Sequence, residues 1–173
     1  KVGNAPLVAG ISEMLSIRKL ASTEKPTRRT FDDLVVAVRR AIDQHYWLGH
    51  AEAFGLLETL RELQKSSELI VDEFEKQREL ERTAREALQQ AEQQQRALLE
   101  RLRPPDLRTV EAFLSGLSEL KRQRGALITL KEVRSIYVPR VEALEQEVAE
   151  RFGEVSRACV DFFLAENAFQ PLL

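Results

Sequence analysis

The stretch Leu60–Leu102, LRELQKSSELIVDEFEKQRELERTAREALQQAEQQQRALLERL, contains neither glycine nor proline. Alternate steps of three and four from Leu60 reach Leu63, Ser67, Ile70, Phe74, Gln77, Glu81, Ala84, Leu88, Ala91, Gln95, Leu98 and Leu102. Residues so spaced lie above one another on a helix, so the stretch predicts one long α-helix with a seam that is apolar at both ends and polar in its middle. At about 1.5 Å per residue it would run for roughly 60 Å, more than a compact domain of this size is wide. It is expected to project, or to lie along a partner of equal length. Glu58/Arg61, Glu62/Lys65, Glu79/Arg82 and Glu81/Arg85 fall three or four apart and can pair on its surface. The glutamine-rich run Gln89–Gln95 keeps good helix propensity and reads as a solvated helical face.

Beyond the seam, Arg103-Pro104-Pro105-Asp106 stops the helix, since two successive prolines cannot continue one, and lets the chain reverse. A helix is predicted from near Asp106 through Leu107, Val110, Phe113, Leu114, Leu117 and Leu120, ending at Lys121–Arg124 with Gly125 as a left-handed cap. Thr129-Leu130-Lys131-Glu132 has capping-box spacing and predicts a short helix or turn, broken again before Pro139. Pro139 suits the first turn of a last helix whose face is Val141, Leu144, Val148, Phe152, Val155, Cys159 and Phe162.

On the other side of the seam, Leu7, Ile11, Met14, Leu15 and Leu20 predict a short amphipathic helix over 5–21, followed by the polar linker Ser22–Arg29 with Pro26. Thr30 and Asp33 predict the start of a second helix, carrying Leu34, Val35, Val38, Ala41, Ile42, His45 and Tyr46 and ending near Gly49. His45-Tyr46-Trp47-Leu48-Gly49-His50 holds both histidines and the only tryptophan. The histidines are five apart, which does not put two ligands on one helical face, so the cluster reads as an aromatic plug rather than a metal site.

The expected fold class is therefore all-α: an elongated antiparallel helical hairpin or coiled coil with a small helical bundle at its base. Residues 1–30 are expected to be a short helix plus linker. Residues 31–173 are expected to hold the bundle and the hairpin, with the long helix over about 50–102, the turn at 103–106 and returning helices over 107–169. Whether Gln77, Glu81 and Gln95 are buried is the open question of the seam, because buried polar side chains persist only where they find partners.

Of 173 residues 31% are charged, and only 7 are glycine and 6 proline, a composition suited to long helices. With 26 basic against 28 acidic residues no global field draws the chain to nucleic acid or anionic lipid. The single cysteine excludes an internal disulfide framework and agrees with a reducing, cytoplasmic setting. No apolar run is long enough to span a membrane, and no membrane partner is expected. The chain begins with Lys1 and ends on Phe169–Leu173, and is expected to be a piece of a larger protein.

No phosphate loop, metalloprotease motif, nucleophile elbow or Cys/His ligand set is present, and neither His45 nor His50 follows a glutamate by three residues. Cys159 sits between Val155 and Phe162 on an apolar helix face, the setting of an inert thiol. No catalytic, cofactor or metal residues are assigned. The basic residues Arg101, Arg103, Arg108, Lys121, Arg122 and Arg124 lie near helix ends that folding would gather, and are the candidates for a weak, salt-sensitive nucleic-acid contact.

The segments Leu127–Val138, Val141–Glu145 and Val155–Leu164 together resemble a helical segment of large bacterial AAA-type DNA repair ATPases, over about residues 106–170. The resemblance implies a coiled-coil module inserted in or attached to such a motor, and carries over no nucleotide-binding residue. The expected function is a non-catalytic coiled-coil interaction module of a larger cytosolic protein, an ATPase linked to DNA maintenance. Its partner would be another protein, the remainder of the parent chain or a second copy; direct nucleic-acid binding is the alternative.

Overall fold

The computed structural model describes the chain from Val2 to Ala168, with side chains as far as Ala165. Lys1 and residues 169–173, where the returning helices were expected to end, lie outside the described residues. The fold is all-α: α1 (Asn4–Ala21), α2 (Arg28–Gln44), α3 (Leu56–Arg101), α4 (Val110–Leu130) and α5 (Val138–Ala168), with 3-10 turns at Tyr46–Gly49, Ala51–Ala53 and Pro104–Asp106. The chain divides into two compact units, Lys1–Arg78 and Glu79–Leu173, with the division inside α3.

In the first unit α2 begins at Arg28, two residues before the expected start. Thr27 and Thr30 explain the difference: each side-chain oxygen accepts from the other's backbone N–H, at 3.4 and 3.0 Å, which closes a capping box with threonine in place of the usual glutamate. The apolar face of α2, Leu34, Val38 and Ala41, is buried with Ile17 of α1, Trp47, Leu48 and Leu60. Val2, Met14, Ile17 and Leu20 thus contribute to the same core as α2. Glu13 of α1 adds polar ties, lying 3.2 Å from Arg40 and 2.7 Å from the buried His45 ring.

The sequence predicts α2 running on to Gly49, yet it ends at Gln44. His45 leaves the helical backbone, at φ −112° and ψ 77°, and its side chain, Trp47 and Leu48 are all buried. The chain continues as the 3-10 turn Tyr46–Gly49, and the tryptophan and histidine form a tilted ring pair with centroids 5.7 Å apart.

In the second unit the end of α3 packs with α4 and α5 as a three-helix bundle around Leu98, Leu102, Phe113, Leu120, Leu127, Val141, Leu144, Val148 and Val155. Partner numbers fix the directions. Glu92 meets Arg140, Gln95 meets Leu144 and Leu99 meets Arg151, rising together, so α3 and α5 run parallel. Lys131 meets Glu145, Lys121 meets Phe152 and Phe113 meets Phe162, one rising as the other falls, so α4 runs against α5. Arg101 with Glu119 likewise sets α4 against α3. The Pro104–Asp106 turn makes the first reversal, and α4 starts at Val110, capped by the Thr109 hydroxyl accepting from Ala112 N–H at 3.1 Å.

Gly125 is not a cap. The helix passes through it to Leu130, because buried Leu127 and part-buried Leu130 extend the apolar face of α4 along α5 and outweigh glycine's poor propensity. The capping-box start expected at Thr129 is instead the end of α4, and the chain turns through 131–137 with Ser135 in the left-handed region, φ 67°.

The seam itself is interrupted. Leu60 and Ser67 are buried, Ile70, Phe74, Gln77 and Glu81 are exposed, and burial resumes at Ala84 and continues to Gln95, Leu98 and Leu102. Of the flanking pairs, Glu58–Arg61 and Glu79–Arg82 form, at 2.8 and 2.6 Å.

Candidate functional site

The six basic candidates do not gather into one patch. Arg101 donates to both carboxylate oxygens of Glu119 across the α3–α4 groove, and Arg122 is close enough to act on the same carboxylate. These side chains and Gln94, Gln123 and Ala126 line an open groove of about 530 Å³. The hydrogen bonds from Arg101 hold the Glu119 carboxyl below the usual carboxylate range, against a smaller opposing effect of burial. Lys121 faces the other way, its ammonium 5.8 Å from the centroid of Phe152 on α5. Arg103 lies in the α3–α5 groove. Arg108 and Arg124 are exposed and join neither set.

The α3–α5 groove encloses about 300 Å³ and contains arginines that the sequence reading left out: Arg96, Arg140 and Arg151 beside Arg103. The signal was legible, since Arg96 and Arg103 are seven residues apart and Arg140 and Arg151 eleven apart, whole numbers of helical turns. Two of the four are committed. Arg140 pairs with Glu92 and Glu147, and the hydrogen bond to Glu92 chiefly raises its pKa further above the ordinary arginine value. Arg151 donates to the carbonyls of Leu99 and Leu102 and pairs with Glu154, which ties α5 to the last turn of α3. Arg96 and Arg103 have no ion-pair partner among the described residues.

At the floor of this groove Gln95 is fully buried. Its amide donates 3.1 Å to the Leu144 carbonyl and 2.9 Å to Glu147 Oε2. Both partners are acceptors, so the amide can be oriented only with its nitrogen toward them. Its oxygen is buried with no hydrogen-bond partner among the described residues. Cys159 is half-buried against the bundle core.

In the first unit a second cavity, of about 430 Å³, opens beside the aromatic turn. Val2, Leu7 and Ala53 form its apolar side and Tyr46, Trp47, His50 and Glu52 the rest. Trp47 and His45 are packed into the core, but Tyr46 is 70% exposed and meets the His50 ring edge-on, centroids 5.8 Å apart. The sequence reading of an aromatic plug fits the buried pair; Tyr46 and His50 stand outside it.

Among the described residues no three His, Cys, Asp or Glu side chains are grouped to hold a metal ion, and no helix is long and apolar enough to cross a membrane. Fold and grooves define an all-α protein of two helical units. Comparison with protein-family models, with curated proteins and with solved structures finds no match to the chain.

Proposed function

We propose that this chain is a non-catalytic helical interaction module of a larger cytosolic protein, read as an ATPase of DNA maintenance on the resemblance of residues 106–170. One observation carries the interaction reading. α1 is apolar on two faces: Gly10 and Ile17 are buried against the core of its unit, while Val8, Ile11 and Leu15, one stripe at helical spacing, are 64, 51 and 57% exposed. A helix of this kind is suited to packing between two bodies, and the remainder of the parent chain is the body proposed for the outer face. The test is a triple change of Val8, Ile11 and Leu15 to serine in the parent protein, followed by cross-linking and mass spectrometry. Cross-links from α1 to the rest of the parent chain are expected in the wild type and lost in the variant; their absence in the wild type overturns the reading. ATP turnover by an intact, homogeneous sample of the isolated chain would overturn its non-catalytic part.

A second reading, direct nucleic-acid contact, is favoured by the α3–α5 groove, where Arg96 and Arg103 are free to meet phosphates. Titration with DNA and RNA at low and moderate salt tests it. Binding that weakens with salt and is reduced in an Arg96→Ala/Arg103→Ala variant supports it, and no binding at low salt rejects it.

A further inference from the structure

The turn that enters α3 holds a bulky residue in the left-handed region, where the Phe54 N–H donates to the Ala51 carbonyl at 3.1 Å. Phe54 has φ 52° and ψ 39°, and Gly55 follows at φ 76°, two left-handed residues in succession. Glycine adopts this region freely, but a bulky side chain there is an outlier. Phe54 is also 95% exposed, so it recovers no burial energy. The left-handed pair turns the chain between the Ala51–Ala53 turn and α3 and leaves the Phe54 ring in water beside the aromatic turn.

Residue 53, one position earlier, belongs to the cavity beside Tyr46. The chemistry of that cavity is selective. Val2, Leu7 and Ala53 offer an apolar wall and Tyr46, Trp47 and His50 offer rings; among the described residues Glu52 is the one carboxylate and no lysine or arginine lines the cavity. Glu52 has no ion pair among the described residues. Anions are disfavoured beside Glu52, and a neutral apolar ligand would leave that carboxylate partly desolvated without compensation. A cation on an aliphatic stem satisfies every wall at once, its methylenes against the apolar side and its charge between ring faces and carboxylate.

We propose that this cleft binds a lysine or arginine side chain of a partner polypeptide. The polypeptide source rests on the interaction-module reading, but the cleft does not include Val8, Ile11 or Leu15, so the two can fail separately. The test uses the full chain with Nα-acetyl-lysine amide and Nα-acetyl-arginine amide, and with Nα-acetyl-norleucine amide as the uncharged counterpart, at matched ionic strength. Trp47, the only tryptophan, reports by fluorescence, and backbone amide shifts of residues 46–53 report by NMR. A saturable response to the cationic amides with a Kd on the order of 1–10 mM is expected, weakened about fivefold or more in each of Glu52→Gln and Tyr46→Ala. Both residues are exposed, so both variants should keep the unliganded Trp47 emission of the native chain. Equal saturation by the norleucine amide, absence of a saturable response to either cation, or native affinity in either variant overturns the proposal. Any of these outcomes leaves the α1 cross-linking test of the module reading unaffected.

Discussion

A methyl group added at Gly10 would lie 2.3 Å from Cζ2 of Trp47, 3.2 Å from Cη2 and 3.4 Å from Nδ1 of His45. The indole is wedged against α1, so Gly10→Ala must displace either the ring or the helix and is expected to cost about 1–3 kcal/mol, as overpacking does. Gly125→Ala is the contrast: an exposed helix-interior position with nothing within 4 Å of the added carbon, expected to stabilise by about 0.5–1 kcal/mol. Urea unfolding followed by Trp47 fluorescence and by circular dichroism checks both, and equal effects of the two alanines would refute the packing account. Gln95 makes a sharper case. Gln95→Leu removes the buried oxygen that has no partner and frees Glu147 to water, so the unfolding midpoint should hold or rise. Gln95→Glu sets a carboxylate against the Leu144 carbonyl and Glu147, and should cost about 2–4 kcal/mol at neutral pH, relieved by acid. At this scale the sequence identified Gln95 as the polar interruption of an apolar seam, but its burial depended on partners about 50 residues away that no local pattern encodes.

The helices were more legible than their ends. Helix-period spacing located α1 and α5 to within a few residues, because each keeps an apolar face over several turns, whereas α3 begins at Leu56 and not near residue 50, since the 3-10 turn at Ala51–Ala53 and the left-handed Phe54 and Gly55 come first. The end of α2 and the length of α4 were misread for one reason: tertiary burial of His45, Trp47, Leu48 and Leu127 overrode local signals such as Gly49 and Gly125. The candidate basic residues suffered similarly, because spacing along one helix does not say which groove of a bundle a side chain enters. Their placement yields a pH prediction. The pKa of Glu119 is lowered in the folded state by its hydrogen bonds from Arg101, so its contribution is complete above the ordinary carboxylate value of about 4.3 and is lost as pH falls through the lower, folded value. Urea midpoints of the native chain and of Glu119→Gln should therefore differ most near neutrality and converge below about pH 4. The effect is small, since the Arg101 side chain is largely exposed, and parallel curves across that range would refute it.

For the whole molecule, the break in the seam matters more than its length. The sequence predicts Leu60–Leu102 as one limb of a hairpin, covered along its apolar positions. In the structure the stripe is buried or half-buried from Leu60 to Ser67 and again from Ala84 to Leu102, and the four seam residues between, Ile70, Phe74, Gln77 and Glu81, are exposed. The polar centre coincides with the division between units at Arg78 and Glu79, so the polarity that made the seam look defective marks where one core stops and the other begins. Phe74 meets the Phe31 ring of α2 and Glu75 pairs with Arg28, but both contacts are at the surface, so the stretch is held chiefly by its own i to i−4 hydrogen bonds, which are marginal in water over such a length. Amides over about 72–82 should then exchange with deuterium roughly tenfold or more faster than those over 91–101, where Gln95, Leu98 and their neighbours are locked into the bundle. Hydrogen exchange read by NMR, residue by residue along α3, would show two protected blocks flanking a faster middle. Uniform protection from Leu60 to Arg101 would mean that something covers the centre of α3, and the exposed Leu69, Ile70 and Phe74 would be the first residues to search for that contact.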